Sequence, residues 1–306
     1  VATLKVGSFS LSKPLLSLII ALAGFTFAGI VIRLTQQNGV PSIVIASLRL
    51  ILASAILTPF VIKSYRPEIA RLTRKDWLFS VFAGVWIGIH FILVITSVEK
   101  TSIMLNQVIT NTGPIWVALM EVFFLKVHFG RNVWWGLLIA LLGGILIALS
   151  HGSDGSAQAD DILLGNFLAL LGSLAGSVYI ISGRVIRQKV SLIPYLWILY
   201  GVGGFVTTAI VIISGYTFFG YTLEGYFWVL MVTLIPTLIG HSSFNYALAY
   251  MPATLVTLSG QIVTVTATIL AFIVFLEAPT FLEVLAGAII MTGVFIANKR
   301  EPKSLA

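Results

Sequence analysis

The sequence predicts an all-α membrane protein, with ten transmembrane helices built as two inverted five-helix repeats. Three observations predict it. Apolar residues make up 58% of the 306 residues and charged residues only 9%, and mean hydropathy is +1.04. A soluble domain carries roughly 25% charged residues. The apolar residues also fall into ten stretches, each about the ~20 residues that a helix needs to cross a hydrocarbon core. Finally, a shift of 150 residues superposes two long segments of the chain without a gap.

Taken in order, the spans are expected at 15–33, 42–62, 77–97, 102–124, 132–150, 162–183, 192–213, 225–247, 254–275 and 280–298. Asn38, Gly39 and Pro41 separate the first pair, and a polar run from Gly152 to Asp161 separates the fifth from the sixth. Pro279 opens the last span, where a missing backbone donor costs little. Residues 1–14 form an amino-terminal segment, 15–150 the first repeat, 151–161 a linker, 162–298 the second repeat and 299–306 a tail. Lys5 and Lys13 ahead of an apolar run resemble a signal peptide. That run continues from Leu15 to Ile32, too long for a signal-peptide core, so it reads as a retained first helix.

The charges orient the bundle. With the amino terminus in the cytoplasm, fifteen of the eighteen Lys and Arg residues fall on the cytoplasmic side. Only Arg33 and Lys100 fall opposite, and Arg49 lies within a span. One orientation satisfies the positive-inside rule and the other violates it. Both termini are therefore expected inside, in the plasma (inner) membrane. The formal charge of +7 is accounted for by these loops and needs no nucleic acid. The absence of cysteine removes disulfides, thiolate metal sites and thiol nucleophiles. Almost no chain is left for an extramembrane catalytic domain.

Five spans per half is an odd number, so the second half enters the membrane in the opposite sense. Gly136 and Gly143 fall on Ala286 and Gly293 at the 150-residue shift, and Arg33 and Arg184 close similar spans at a shift of 151. Inverted repeats about an in-plane pseudo-two-fold axis are a recurring plan of secondary transporters, with substrate near the midplane. A duplication kept for structural convenience is the alternative.

Particular stretches carry a family resemblance. They are Arg33-Leu34-Thr35, Pro41 to Leu52, Ile95 to Ser102, Asn111-Thr112-Gly113-Pro114-Ile115-Trp116, Gly240 to Leu248, and Glu277 ahead of the last helix. In order and spacing the chain resembles the drug/metabolite transporter superfamily, specifically its EamA-type members. The resemblance implies a basket of ten helices and export or exchange of small organic molecules such as amino acids. The first-half counterpart of Glu277 is Val127, so any role for that acid at both repeats is not preserved.

Candidate substrate-binding residues are the polar groups inside spans. Arg49 lies about two turns into the second helix, where a guanidinium costs roughly 2.5–3.5 kcal/mol unless paired or hydrated. No acid lies one turn away, which leaves a carbonyl, another helix, water or a substrate carboxylate as partner; a structural tie or snorkelling outward is the alternative. The fourth helix carries Asn106, Gln107, Thr110, Asn111 and Thr112 ahead of Gly113-Pro114. Gln107, Asn111 and Pro114 share one face, and the repeat shift carries them onto Thr257, Gln261 and Thr264. Matching polar stripes suit a central site; interhelical hydrogen bonds, typically about 0.6 kcal/mol each, are the alternative. The threonines read as bonding their own helix carbonyls.

His90 and His241 lie in oppositely running spans, which places His90 nearer the outside and His241 nearer the cytoplasm. Imidazole titrates near neutral pH, so either could relay a proton, the candidate coupling ion; a neutral histidine bonded to Ser242 or Asn245 is the alternative. Trp86, Trp116 and Tyr179 are candidate aromatic walls, although most membrane aromatics pack or anchor. Glu121, Glu277 and Glu283 are expected at solvated interfaces. Gly84/Gly88 and Gly172/Gly176 fit close helix packing and leave a homodimer as a candidate partner.

No metal site or cofactor is expected. The whole reads as a membrane transporter moving a small organic solute by alternating access, with the site between helices three, four, eight and nine. An intramembrane enzyme would need a nucleophile–base pair or paired carboxylates at one depth, and a channel a pore segment; neither is visible in the sequence.

Overall fold

The computed structural model describes residues 3–6, 9–100, 106, 109–150, 159–275 and 281–298. Gln107, Glu277, most of the 151–161 linker and the 299–306 tail lie outside the described residues. A short antiparallel ladder, β1 (Thr3–Val6) with β2 (Phe9–Ser12), precedes the bundle. Among the described residues, the rest of the regular structure is helical. We number the helices by span: α1 Lys13–Gln37, α2 Ser42–Ala70, α3 Arg74–Lys100, α4 Gly113–Leu125, α5 Arg131–Ser150, α6 Ala159–Ile186, α7 Leu192–Ile213, α8 Leu223–Leu248, α9 Ala253–Ser259 with Ile262–Phe275, and α10 Phe281–Asn298. Six of these are long and apolar enough to cross a membrane outright, and the others are shorter apolar helices.

The pairing of the helices carries the symmetry. α2 packs on α7, α4 on α9 and α5 on α10, each against its own repeat counterpart, while α1 packs on α8 as α3 does on α6. A two-fold operation exchanging the halves produces this reciprocal pattern. Counterparts also run antiparallel. Ser47 meets Thr208 and Ser54 meets Trp197 across α2/α7, and Asn111 meets Thr264 while Glu121 meets Thr254 across α4/α9. Because counterparts point in opposite directions, the axis lies across the helices, as inverted repeats require.

Glycines set the closest approaches. A Cβ built on Gly136 of α5 would lie 2.5 Å from the Gly293 carbonyl of α10, and one on Gly88 of α3 would lie 3.0 Å from that of Gly203 in α7. Gly172 and Gly176 of α6 press on Val94 and His90 of α3. These small residues are used inside the chain.

Four helices depart from straight α-geometry. α1 is interrupted at Phe27. Pro59 and Pro236 lie within α2 and α8, which carry π-helical segments at Val61–Tyr65 and Thr233–His241. π-segments of this kind accumulate at functional sites. α9 breaks at Gly260–Gln261, and ahead of α4 a turn falls at Asn111–Thr112. The expected continuous spans 102–124 and 254–275 are therefore each divided, at positions 149 or 150 residues apart.

One end of the bundle collects the basic joints. There Ser191 N–H donates to Glu68 Oε1 at 2.7 Å, Lys189 lies 4.0 Å from Asp76, and Arg184 donates to the Leu248 carbonyl at 2.5 Å. Arg187, just past α6, is buried and donates to the carbonyls of Asn245 and Val190; desolvation lowers its pKa. We refer to this as the basic end.

Candidate functional site

Arg49 lies where both halves cross. Its side chain is 3% exposed, so it does not snorkel outward. Nε donates to Thr237 Oγ1 of α8 at 2.9 Å, and the guanidinium carbon lies 4.0 Å from the centre of the Phe91 ring of α3. Thr237 is presented by the π-segment, where its hydroxyl donates to the Val232 carbonyl five residues back at 2.9 Å. Among the described residues Arg49 forms no ion pair. Three buried or interfacial acids are committed elsewhere, each accepting at a helix N-terminus, where negative charge is favoured. Glu99 accepts from Ser42 N–H of α2, Glu68 from Ser191 N–H ahead of α7, and Glu121 from the first two amides of α9.

Around Arg49 stands an aromatic and imidazole shell. The His241 ring centre lies 5.0 Å from Phe91, 4.7 Å from Phe25 and 6.3 Å from Tyr179. Tyr179 Oη and His241 Nδ1 are 3.2 Å apart, and the His90 ring is 6.1 Å from the same tyrosine. His90 Nδ1 faces the Gly172 carbonyl at 2.8 Å. A carbonyl can only accept, so this nitrogen carries the proton. Tyr200 of α7 closes the shell, its hydroxyl donating to the Thr237 carbonyl at 3.2 Å.

The structure brings both histidines against Tyr179, with ring centres 6.1 and 6.3 Å from it. Each lies within about six residues of its helix midpoint, roughly 9 Å at a ~1.5 Å rise. The bond expected between the His241 ring and Asn245 is corrected: Asn245 Nδ2 donates instead to the His241 carbonyl at 2.7 Å.

The polar stripes of the fourth and ninth spans form a second group. Asn111 Nδ2 donates to Thr264 Oγ1 at 2.5 Å, and Gln261 Nε2 donates to the Asn111 carbonyl at 2.6 Å. Asn111 and Gln261, equivalent under the repeat, thus meet across α4/α9. The backbone explains the opening. Pro114 has no N–H for the Thr110 carbonyl, and Ser173 Oγ of α6 supplies the missing donor at 3.0 Å. Ser177 Oγ likewise donates to the Gly113 carbonyl at 3.2 Å. Broken helices in membranes are tolerated where neighbours satisfy the freed groups in this way. Gln261 Oε1 is buried and has no hydrogen-bond partner among the described residues.

The other candidates have local partners. Asn106 Nδ2 donates to the Val94 carbonyl and Ser97 Oγ, tying its segment to α3. Thr110 and Thr257 bond carbonyls one turn back, and Trp116 Nε1 donates to Thr112 Oγ1. Trp86 packs edge-on to Phe82. Glu121 is corrected outright: it is 1% exposed rather than solvated.

A model of the EamA-like transporter family matches residues 12–149 and again 163–299. This chain belongs to the EamA-like transporter family. The chain is 26% identical over 282 residues to the uncharacterized transporter YdfC of Bacillus subtilis, covering 91% of this chain and 88% of that protein. To the uncharacterized transporter YetK of the same organism it is 22% identical over 311 residues, covering 97% and 92%. A solved crystal structure shares the fold, with a TM-score of 0.75 at 16% identity over 94% of this chain and 96% of that one. This EamA-like protein is a multi-pass membrane transporter.

Sequence reasoning on this EamA-like transporter missed Thr237, Tyr200, Phe25, Phe91, Ser173 and Ser177. Pro236 was the available signal for Thr237, because a proline within an apolar span marks a place where helical bonding must be rearranged. The aromatic residues gave none, being indistinguishable in sequence from packing residues.

Proposed function

We propose that this transporter exports or exchanges a small carboxylate-bearing metabolite, amino-acid-like or amphipathic, by alternating access of its two five-helix halves. The observation that carries the reading is Arg49: a guanidinium buried between α2, α3 and α8, stacked on Phe91, with one hydrogen bond to Thr237 and no ion pair among the described residues. A guanidinium has five N–H donors arranged to receive a carboxylate in two parallel bonds. Phe91, Phe25 and Tyr179 supply apolar faces beside it. The α4/α9 contact through Asn111, Gln261 and Thr264 forms a polar seam between counterpart helices, which supports the two halves parting there. The basic end is the cytoplasmic face of the inner membrane on this reading, with both termini inside. His90, Tyr179 and His241 make the proton the candidate coupling ion.

The test is a thermal-shift screen of amino acids and other small carboxylates on purified protein, each paired with its methyl ester or amide. Hits then go to counterflow in liposomes. The reading expects saturable, counterflow-stimulated flux for the acids and none for the esters. Equal response to acid and ester would sink the carboxylate assignment, and chemical alteration of the compound would favour an enzyme.

A further inference from the structure

Two adjoining cavities lie at the basic end between the start of α1 and the end of α8. The inner one, about 280 Å³, is lined by the polar Lys13, Ser17, Ser242 and Tyr246 and by the apolar Leu16, Ile20 and Leu192. The outer one, about 680 Å³, shares Lys13 and Tyr246 and adds Leu15 and Met251. The lining thus combines a cation and hydroxyls with aliphatic residues, Lys13, Leu16, Ser17 and Ile20 sharing one face of α1. Lys13 is exposed at the mouth. The seam closes behind the cavity, where Ser17 Oγ donates to the Ser243 carbonyl at 2.9 Å and Gly24 packs on the backbone of Gly240.

The floor of this cavity connects to Arg49 by hydrogen bonds. Ser242 Oγ lies 3.3 Å from Tyr200 Oη, Tyr200 donates to the Thr237 carbonyl, and Thr237 Oγ1 receives Arg49 Nε. Lys13 and Ser242 thus line one cavity, and Ser242 is linked to Arg49 through Tyr200 and the residue Thr237. We propose that the α1–α8 seam is a loading site for an amphipathic monocarboxylate, whose head pairs with Lys13 and whose chain lies along Leu16 and Ile20 before the molecule passes to Arg49. This rests on the reading of Arg49 as a carboxylate site and names the substrate class that the seam admits. Charge complementarity to Lys13 selects the head, and Leu16 and Ile20, along the same face of α1, select the tail.

The test uses full-length protein in zwitterionic lipid nanodiscs and a medium-chain carboxylic acid with a diazirine near its tail. The methyl ester of the same probe serves as control. After irradiation, adducts are mapped by peptide mass spectrometry. The proposal expects labelling within 13–20 and 242–251, favouring the acid by about five-fold, the upper end for a partly exposed ion pair. Lys13→Gln should reduce acid labelling to the ester level, and Lys13→Arg should retain it. Arg49→Leu should leave seam labelling intact while abolishing flux, which separates this site from the central one. Equal labelling by acid and ester overturns the proposal, as does labelling indifferent to Lys13 or lost in Arg49→Leu. Displacement by phosphatidylglycerol but not by the free unlabelled acid would also overturn it, assigning the seam to lipid instead.

Discussion

Removing the Glu121 carboxylate should unfasten α4 from α9 at the basic end. Oε1 accepts from Ala253 N–H at 2.9 Å, and Oε2 accepts from Thr254 N–H at 2.8 Å and from Thr254 Oγ1 at 2.7 Å. α9 starts after Pro252, which offers no side-chain cap of its own, so the cap comes from another helix. In Glu121→Ala both amides lose their acceptor at a buried site. Each orphaned donor costs about 1–3 kcal/mol. The Thr254 hydroxyl can turn to a carbonyl of its own helix and recover most of its bond. Some water will reach the end of the bundle, so the expected loss is about 2–4 kcal/mol rather than the full sum.

Glu121→Gln keeps one acceptor oxygen but turns an amide NH₂ toward a backbone N–H, for a loss of about 1–3 kcal/mol. The assay is reversible denaturation in detergent, followed by the fluorescence of the seven tryptophans. Glu224→Ala, which removes an exposed acceptor for Trp228, is the control and should fall within about 0.5 kcal/mol of the parent. Thr254→Val alone should lose about 1 kcal/mol, and the double variant with Glu121→Ala should show a coupling of similar size. Full parental stability in Glu121→Gln, or zero coupling, would refute the capping argument.

Other expectations rest on the same geometry. Arg49→Leu should fold, because losing a cation–π contact and one charged hydrogen bond, about 2 kcal/mol each, is offset by relief of a ~3 kcal/mol burial cost. Its counterflow should fall by about thirty-fold or more, the range for truncating one side of a desolvated charge pair; unchanged flux would exclude Arg49 as the anchor. Asn111→Leu and Gln261→Leu should each reduce counterflow more than Leu138→Ala on the exposed face of α5, and equal effects would place the site elsewhere. Gly136→Ala should destabilise by about 1–3 kcal/mol through backbone collision with α10, read as a lowered unfolding midpoint. Since the chain has no cysteine, Thr257→Cys can be labelled directly; an impermeant maleimide should reach it faster once Glu121 is replaced by Ala.

Much of this bundle was legible because its signals are one-dimensional. Span length, basic joints and a fixed repeat distance are all read along the chain, and the same shift picked out Asn111 and Gln261, which meet across α4/α9. What failed was three-dimensional. A 3.6-residue period cannot find Thr237, because the π-segment Thr233–His241 changes the rotation per residue and re-aims the side chains along it. Depth counted along single helices placed His90 and His241 apart, although the side chains of both reach one tyrosine. Glu121 looked solvated because its distance from the span end was known and the arrival of the α9 N-terminus over it was not. Polar residues whose partners come from distant helices, such as Ser173 under the Thr110 carbonyl, carry no local mark at all.

The two halves share a pairing geometry but not a chemistry, and the difference bears on energetics. A two-fold operation exchanges the basic end with the opposite end. Were the residues equivalent as well, opening at either end would cost the same, and the two states would be equally populated. The repeat shift carries Glu121 onto Ala271, so the carboxylate that fastens α4 to α9 at the basic end is not repeated at the equivalent position of the other half. On the proposed alternating-access reading, opening the basic end breaks that cap. A cap worth about 2–4 kcal/mol corresponds to roughly 30- to 700-fold in population, which on that reading favours the state closed at the basic end. Bound solute can shift the balance only through contacts that differ between the states. Arg49, held by Thr237 on the π-segment of α8, is placed to make such contacts, since α8 packs on α1 at the seam and on α2 at the centre.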